Sequence, residues 1–271
     1  MRQVAGHSHW KSIKHKKGAA DAKRGKIFSK LAKLITVAAR TGGGNPADNL
    51  NLRYALDRAR AESMPKDSIE RAVKKGTGVL VGEELSDLVY EGIGPGGIAL
   101  VMEVLCGNRN KTGGELRNLL DKRGGSLGKT NSVLWKFDRK GVLGIATADA
   151  TEDELFEVAI DAGADNLEVE DEAIHVYSSV EDFEAVRKAL AGLVRKKREK
   201  PEKKWGESAD ESPIFVRSEI VYLPKSPLTL DGDRARQALA LLNEIEDHED
   251  VQNVFSDFDI PADTLEKILA E

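Results

Sequence analysis

Between Asp21 and Arg40 apolar residues return every three or four positions. At about 100° per residue, Ile27, Phe28, Leu31, Leu34, Ile35 and Ala38 fall in one arc and Lys23, Lys26, Lys30, Lys33 and Arg40 in another. The pattern predicts an amphipathic helix with one packing face and one cationic face. TGGGNPADN, residues 41–49, breaks it, and a second helix is expected from Leu50 to Ser63 with Leu52, Ala55, Leu56 and Ala59 inward. KDSIERAVKKG follows Pro65 with Asp67 and Glu70 early, Lys74 and Lys75 late and Gly76 at the end, an order that suits the helix dipole and a glycine cap. Three helices with one apolar face each can bury those faces in a small bundle.

After residue 78 the period changes. DLVYEGIGPGGIALVMEVL reads as two strands, Leu88–Glu91 and Ile98–Leu105, joined by a glycine-rich turn, and Thr112–Arg123 reads as a helix. Residues 133–194 read as strand, strand, helix, twice over: VLWKF, GVLGIAT and DELFEVAIDAG, then NLEVE, AIHVY and VEDFEAVRKALAGLV. A charged linker runs through residues 195–213, and strand IFVRSEIVYL, helix DRARQALALLNEIED and strand VQNVFSDF complete the chain. The first strand-strand-helix and this last strand-helix-strand each bury too little alone, and together they make a four-stranded sheet with two helices. The expected fold class is therefore multidomain, α plus α+β. A three-helix domain (1–80) precedes a discontinuous α+β domain (81–129 plus 206–271), into which a second α+β domain with its basic linker (130–205) is inserted.

Composition adds a charge asymmetry. The 271-residue chain has a formal net charge of −5, yet residues 1–80 hold 18 Lys and Arg against 6 Asp and Glu, and the first 40 hold 11 basic residues against Asp21 alone. That imbalance is the electrostatic footprint of a phosphate-binding segment. With Cys106 as the one cysteine, an internal disulfide and a cysteine-rich zinc site are excluded. The N-terminus lacks the apolar core of a signal peptide, and the run Ile98–Leu105 is far short of the ~20 residues that span a bilayer. A cytoplasmic protein without membrane contact is expected.

Motifs that suggest chemistry fail on context. Gly92, Gly94 and Gly97 match G-x-G-x-x-G, but the dinucleotide fingerprint opens a helix, whereas IALVMEVL is strand-like; a tight hairpin is expected. GGSLGKT ends like a P-loop, with Arg123 where the first glycine belongs. His7, His9 and His15 have no ligand partners beyond Asp21, so no metal site is expected. His175 reads as a surface strand position, His248 as solvated or complementing a helix end, and Cys106 as a buried thiol. No carboxylate spacing marks an acid–base pair, and neither an enzyme activity nor a cofactor is expected. The residues that stand out are cationic and aromatic: Trp10, Lys11, Lys14, His15, Lys16 and Lys17, then Lys23, Arg24, Lys26, Lys30, Lys33 and Arg40. Trp10 amid lysines suits stacking on a base or anchoring the arm on the bundle.

GHSHWKSIKHKKGAADAKRGKIFSKL from Gly6, MPKDSIERAVKKGTG from Met64, YEGIGPGGIALVMEVL from Tyr90, NRNKT from Asn108 and KRGGSLGKTNSVLWKF from Lys122 resemble the successive signature blocks of the YebC family, whose mitochondrial relative is a translational activator of cytochrome c oxidase. The resemblance implies a helical N-terminal domain, two α+β domains and a cytoplasmic, non-enzymatic role. Family members have been described as DNA-binding transcriptional regulators and as ribosome-associated factors that help synthesis through proline-rich stretches. The chain departs from the pattern in the residues before Ala5, in His9 where a lysine is usual, and in the linker Arg195–Trp205. The function expected is that of a monomeric, ribosome-associated translation factor with rRNA or tRNA as partner. A DNA-binding transcriptional regulator is the alternative, disfavoured because no helix-turn-helix with polar recognition residues is visible.

Overall fold

A computed structural model describes residues 21–82, 84–170, 172–198 and 214–261, with Thr264 and Ile268 beyond them. The protein is an N-terminal three-helix domain followed by two α+β domains, one inserted in the other. It forms two compact units, the chain up to Phe137 with Pro224 onward, and Asp138–Leu223.

In the first unit, helices α1 (Asp21–Gly42), α2 (Leu50–Ala61) and α3 (Lys66–Gly76) bury Leu31, Ile35, Leu52, Leu56 and Met64 against one another. Asn49 starts α2: its side-chain oxygen accepts from the Leu52 N–H, and its amide donates to the carbonyls of Ala38 and Gly43, both at 2.7 Å. One buried side chain thus caps a helix and ties down the preceding turn. Gly76 lets α3 approach α1, since a Cβ there would collide with the Thr36 carbonyl.

The same unit continues with β1 (Ser86–Ile93), β2 (Ala99–Cys106), α4 (Arg109–Lys122) and β3 (Ser126–Leu127). β1 and β2 form an antiparallel hairpin in register from Ser86 opposite Cys106 to Ile93 opposite Ala99, with a 3-10 turn at Pro95–Gly97. Gly96 and Gly97 take φ of 75° and 83°, a conformation that glycine adopts without strain. The G-x-G-x-x-G motif is therefore hairpin geometry, as its context predicted.

The second unit holds β4 (Phe137–Ala146), α5 (Glu152–Asp161), β5 (Ala164–Glu170), β6 (Ala173–Ser178), α6 (Phe183–Arg198) and β7 (Arg217–Pro224) in a sheet of order β5-β6-β4-β7. Thr151 and Glu154 make a capping box at the start of α5. The Arg198 fork holds Asp149 through Nε and Nη2 at 3.0 and 2.8 Å, fixing the end of α6 against the turn before α5.

Back in the first unit lie β8 (Leu228–Thr229), α7 (Gly232–Glu246), β9 (Val251–Ser256) and β10 (Phe258–Asp259). β9 completes the sheet β3-β1-β2-β9, and β8 pairs with β10 in parallel. Leu116 and Leu120 of α4 pack with Leu239, Leu242 and Ile245 of α7 over Leu100, Met102 and Val104, and Cys106 is fully buried in this core, as expected.

Three expectations are corrected. Strand 214–223 was expected beside the hairpin, whereas β7 lies next to β4 in the other sheet. The alternation of Val133, Trp135 and Phe137 looked like a strand, yet Leu134–Lys136 is a 3-10 turn and one strand, β4, replaces the expected pair. His175 is also less exposed than predicted, at 13%, with Nε2 at 3.8 Å from Glu170.

Candidate nucleic-acid interface

The predicted contacts divide by position. Trp10, Lys11, Lys14, His15, Lys16 and Lys17 lie outside the described residues, and Lys23 sits on α1 with its side chain outside them. Arg24 and Arg40 are exposed near the two ends of α1. These arginines are 16 residues apart, about 24 Å at a helical rise of 1.5 Å per residue.

Lys26, Lys30 and Lys33, spaced four and three residues apart, line one side of α1. They meet the C-terminal end of α7. Lys26 Nζ donates to the Asp247 carbonyl (3.3 Å), Lys30 Nζ to the Glu246 carbonyl (2.5 Å), and Lys33 Nζ to the Glu249 carbonyl (3.3 Å) and to Asp250 Oδ1 (2.5 Å). A helix C-terminus carries unpaired carbonyls and partial negative charge. α7 has no basic residue in its last turn, and the chain beyond it, DHED, adds acidic residues to that end. The lysines of α1 thus supply the counter-charge that the sequence of α7 lacks.

Asp250 is the centre of this contact. Its second oxygen accepts from Thr112 Oγ1 at 2.6 Å, and its backbone N–H donates to His248 Nδ1. Burial pushes its carboxyl up, but hydrogen bonds from Lys33 and Thr112, with the charges of Lys33 and His248, outweigh that and hold it below its ordinary value. His248, 12% exposed and 3.2 Å from Glu115, is more enclosed than its acidic surroundings suggested.

Beside this contact a groove of about 390 Å³ opens between α1 and α3, its cationic lining supplied by Lys33, Arg71 and Lys75 and its apolar lining by Phe28 and Met64. Arg58, Lys66 and Lys74 are exposed on α2 and α3. The cations of the bundle that remain at the surface are therefore spread over three helices.

One feature escaped sequence reasoning. Glu91, 4% exposed, accepts three backbone N–H groups, from Asn131 at 2.5 Å and from Val133 and Leu134 at 2.7 and 2.8 Å. The signal available was a glutamate directly after the apolar run Leu88–Tyr90, but its partners lie some 40 residues away. Among the described residues no cluster of His, Cys, Asp and Glu could hold a metal ion, and no helix is long and apolar enough to cross a membrane.

Residues 8–79 match the TACO1/YebC protein N-terminal domain, and residues 85–258 match the TACO1/YebC second and third domain. The chain belongs to the TACO1/YebC family. A relative from Trichlorobacter lovleyi is 46% identical over 98% of this chain and all of its own length, and one from Halothermothrix orenii is 43% identical over 99% and all of its length; both are named probable transcriptional regulatory proteins. A crystal structure of a conserved hypothetical protein from Aquifex aeolicus, 37% identical, superimposes with a TM-score of 0.76 over 93% of this TACO1/YebC chain and 97% of its own.

Proposed function

We propose that this TACO1/YebC protein is a non-enzymatic, nucleic-acid-binding regulator of gene expression, acting as a cytoplasmic, monomeric, ribosome-associated translation factor that relieves pausing at proline-rich stretches. The observation that carries the reading is the dispersal of surface cations. Arg24 and Arg40, about 24 Å apart on α1, and Arg58, Lys66, Arg71 and Lys75 on the other two helices form a broad field, and the sequence before Arg24 adds Trp10–Lys17 and Lys23. Such a field suits a large anionic surface such as rRNA or tRNA, where linked weak contacts add through effective concentration. Lys30 and Lys33 are the members of the cationic stripe with a second role, holding the bundle to α7, and Lys26 stands exposed at the edge of that contact.

The second reading is a DNA-binding transcriptional regulator, favoured by the names of the relatives. Reading base edges requires one element that enters a groove with polar side chains aimed at the bases, and the dispersed cations argue for phosphate contact instead. Ribosome profiling with and without the protein separates the two. The translational reading expects more pausing at proline-rich codon runs with mRNA levels nearly unchanged, and co-sedimentation with ribosomes at moderate salt. A footprint on a defined promoter with a specific-to-nonspecific ratio above about a thousand, without ribosome association, would replace it with the transcriptional one.

A further inference from the structure

We propose that the loop running from Gly128 to Trp135 is a second nucleic-acid site, one that stacks an unpaired base of single-stranded RNA on the Trp135 indole. The loop is held in a fixed shape at some cost. Glu91 buries a carboxylate, which is unfavourable unless well paired, and its donors are the backbone N–H groups of Asn131, Val133 and Leu134. Asn131 takes a φ of 63°, the left-handed region, which asparagine enters more readily than other non-glycine residues. The Gly128 N–H donates to the Glu91 carbonyl at 2.7 Å, and a Cβ on Gly128 would collide with Ser132.

Trp135 follows this fixed loop and is anchored on both sides. Val133 and Leu134 before it are held by Glu91. Lys136 after it reaches Asp257, whose side chain is 2% exposed, with Nζ at 3.0 Å from Oδ2, and the other oxygen of Asp257 accepts from the Ala99 N–H at 2.7 Å. Trp135 nevertheless stands 65% exposed, its indole Nε1–H donating to the Ser132 carbonyl at 3.1 Å. Two buried carboxylates therefore fix a backbone whose product is an aromatic face turned to solvent. A rigid scaffold presenting exposed loop side chains is the usual build of a binding loop.

The surroundings choose the ligand. Lys129 is exposed on the loop, and the Lys225 ammonium lies at the Trp135 carbonyl, 3.0 Å away, so the backbone that presents the ring also carries positive charge. A flat aromatic face with neighbouring cations takes a base and its phosphates, and only an unpaired base offers its face. Thr130, Asn131 and Ser132, all exposed, provide donors and acceptors of the kind that meet a 2′-hydroxyl, which selects RNA over DNA. The inference shares with the proposed function only the class of ligand; the site is separate from the helical bundle.

The test uses the full chain with Trp10→Phe and Trp205→Phe, which leaves Trp135 as the sole tryptophan of the three, titrated with a 12-nucleotide oligouridylate and with the matching oligodeoxythymidylate. Binding is followed by indole fluorescence and, independently, by anisotropy of a labelled oligonucleotide. Saturable quenching by the RNA at the concentrations where anisotropy rises is expected. Trp135→Leu in the natural background should weaken RNA binding by about 5- to 150-fold, the equivalent of one stacked base at ~1–3 kcal/mol, and Trp135→Phe should lose less. RNA binding by anisotropy without quenching, or with Trp135→Leu as tight as the natural chain, overturns the loop site and leaves the proposed function standing. Equal affinity for the deoxy-oligonucleotide overturns the choice of RNA. No binding of the labelled oligonucleotide by the natural chain, in which Trp10 is intact, overturns both readings.

Discussion

Lys33 Nζ lies 2.5 Å from Asp250 Oδ1, and this pair joins the N-terminal helix bundle to the sheet domain that follows it. The lysine is 22% and the aspartate 10% exposed, so the pair is partly shielded from solvent. Removing one partner leaves a charge without its counter-ion in a place where water solvates it poorly. Lys33→Met should destabilise the first unit by about 1–3 kcal/mol, a discount on the 3–5 kcal/mol of a fully buried pair. Lys33→Met with Asp250→Asn should cost less than the sum of the single changes, a coupling that a double-mutant cycle in denaturant measures. Additive effects would show that the pair contributes no direct interaction.

The same carboxyl sets a pH dependence. Asp250 is held below the ordinary aspartate value of about 3.9, so its contribution is present in full above that value and is lost as pH falls through the lower folded one. The stability gap between the natural chain and Asp250→Asn should therefore be constant from about pH 7 to 5 and shrink below about pH 4. In the second unit Glu154 is lowered to about 2 by hydrogen bonds from Lys197 and Thr151. Carboxyl titration by NMR should find Glu154 ionised after most glutamates have protonated, and Lys197→Met should bring it back toward them.

Glu91 gives the loop prediction its sharpest form. Glu91→Gln keeps the volume but puts an amide donor against backbone donors, leaving at least one N–H unpaired in a buried place. The expected cost is about 1–3 kcal/mol. Hydrogen exchange should show lost protection at Asn131, Val133 and Leu134, while Leu100 and Met102 of the central strand β2 stay protected. Retained protection at all three would mean that other contacts shape the loop.

Much of the fold was legible because helix and strand periods are local properties. α1 and α2 announce themselves in the recurrence of Leu31, Ile35, Leu52 and Leu56, α3 in the order of Asp67, Lys74, Lys75 and Gly76, and the hairpin in the glycines after Glu91. The sheet partner of β7 was not legible, because strand pairing is a long-range choice and residues 214–223 carry an alternation that suits either sheet. The cationic stripe of α1 was visible, but an amphipathic helix looks the same whether its lysines face solvent or the carbonyls of another helix. Asp250 and the end of α7 lie over 200 residues away, and only the tertiary fold joins them to Lys33. Trp135 failed for a related reason: its apolar neighbours suggested a strand, and the buried Glu91 that turns it outward is far away in sequence.

Gly76 tests the packing of the bundle. A methyl group there would meet the Thr36 carbonyl and the Ala39 side chain, and the backbone oxygen cannot move without shifting α1. Gly76→Ala should therefore cost about 1–3 kcal/mol, the range for overpacking a core, despite alanine's higher helix propensity. Thermal unfolding followed by far-UV circular dichroism measures it. A neutral or stabilising change would show that α3 can move away from α1 freely.

Cations that bind are separable from cations that hold the fold. Neutralising Lys14, Lys16, Lys17 and Arg24 to glutamine should weaken nucleic-acid or ribosome binding and flatten its salt dependence, because each lost phosphate contact lowers the log–log slope by about 0.7 to 0.9. Thermal stability should change little, since Arg24 is exposed at the start of α1. Neutralising Lys30 and Lys33 removes the same kind of charge from the neighbouring turns of the same helix, but those side chains sit on the Glu246 carbonyl and on Asp250. Its main effect should be a lower midpoint of unfolding, because the C-terminal end of α7 loses the counter-charge that its own sequence lacks. Salt slopes and denaturation curves measured on both variants give a crossed pattern if the two groups have these separate roles. If the first variant unfolds early and keeps its salt slope while the second loses slope at unchanged stability, the assignments are reversed, and phosphate contact belongs to the face of α1 that carries Lys30 and Lys33.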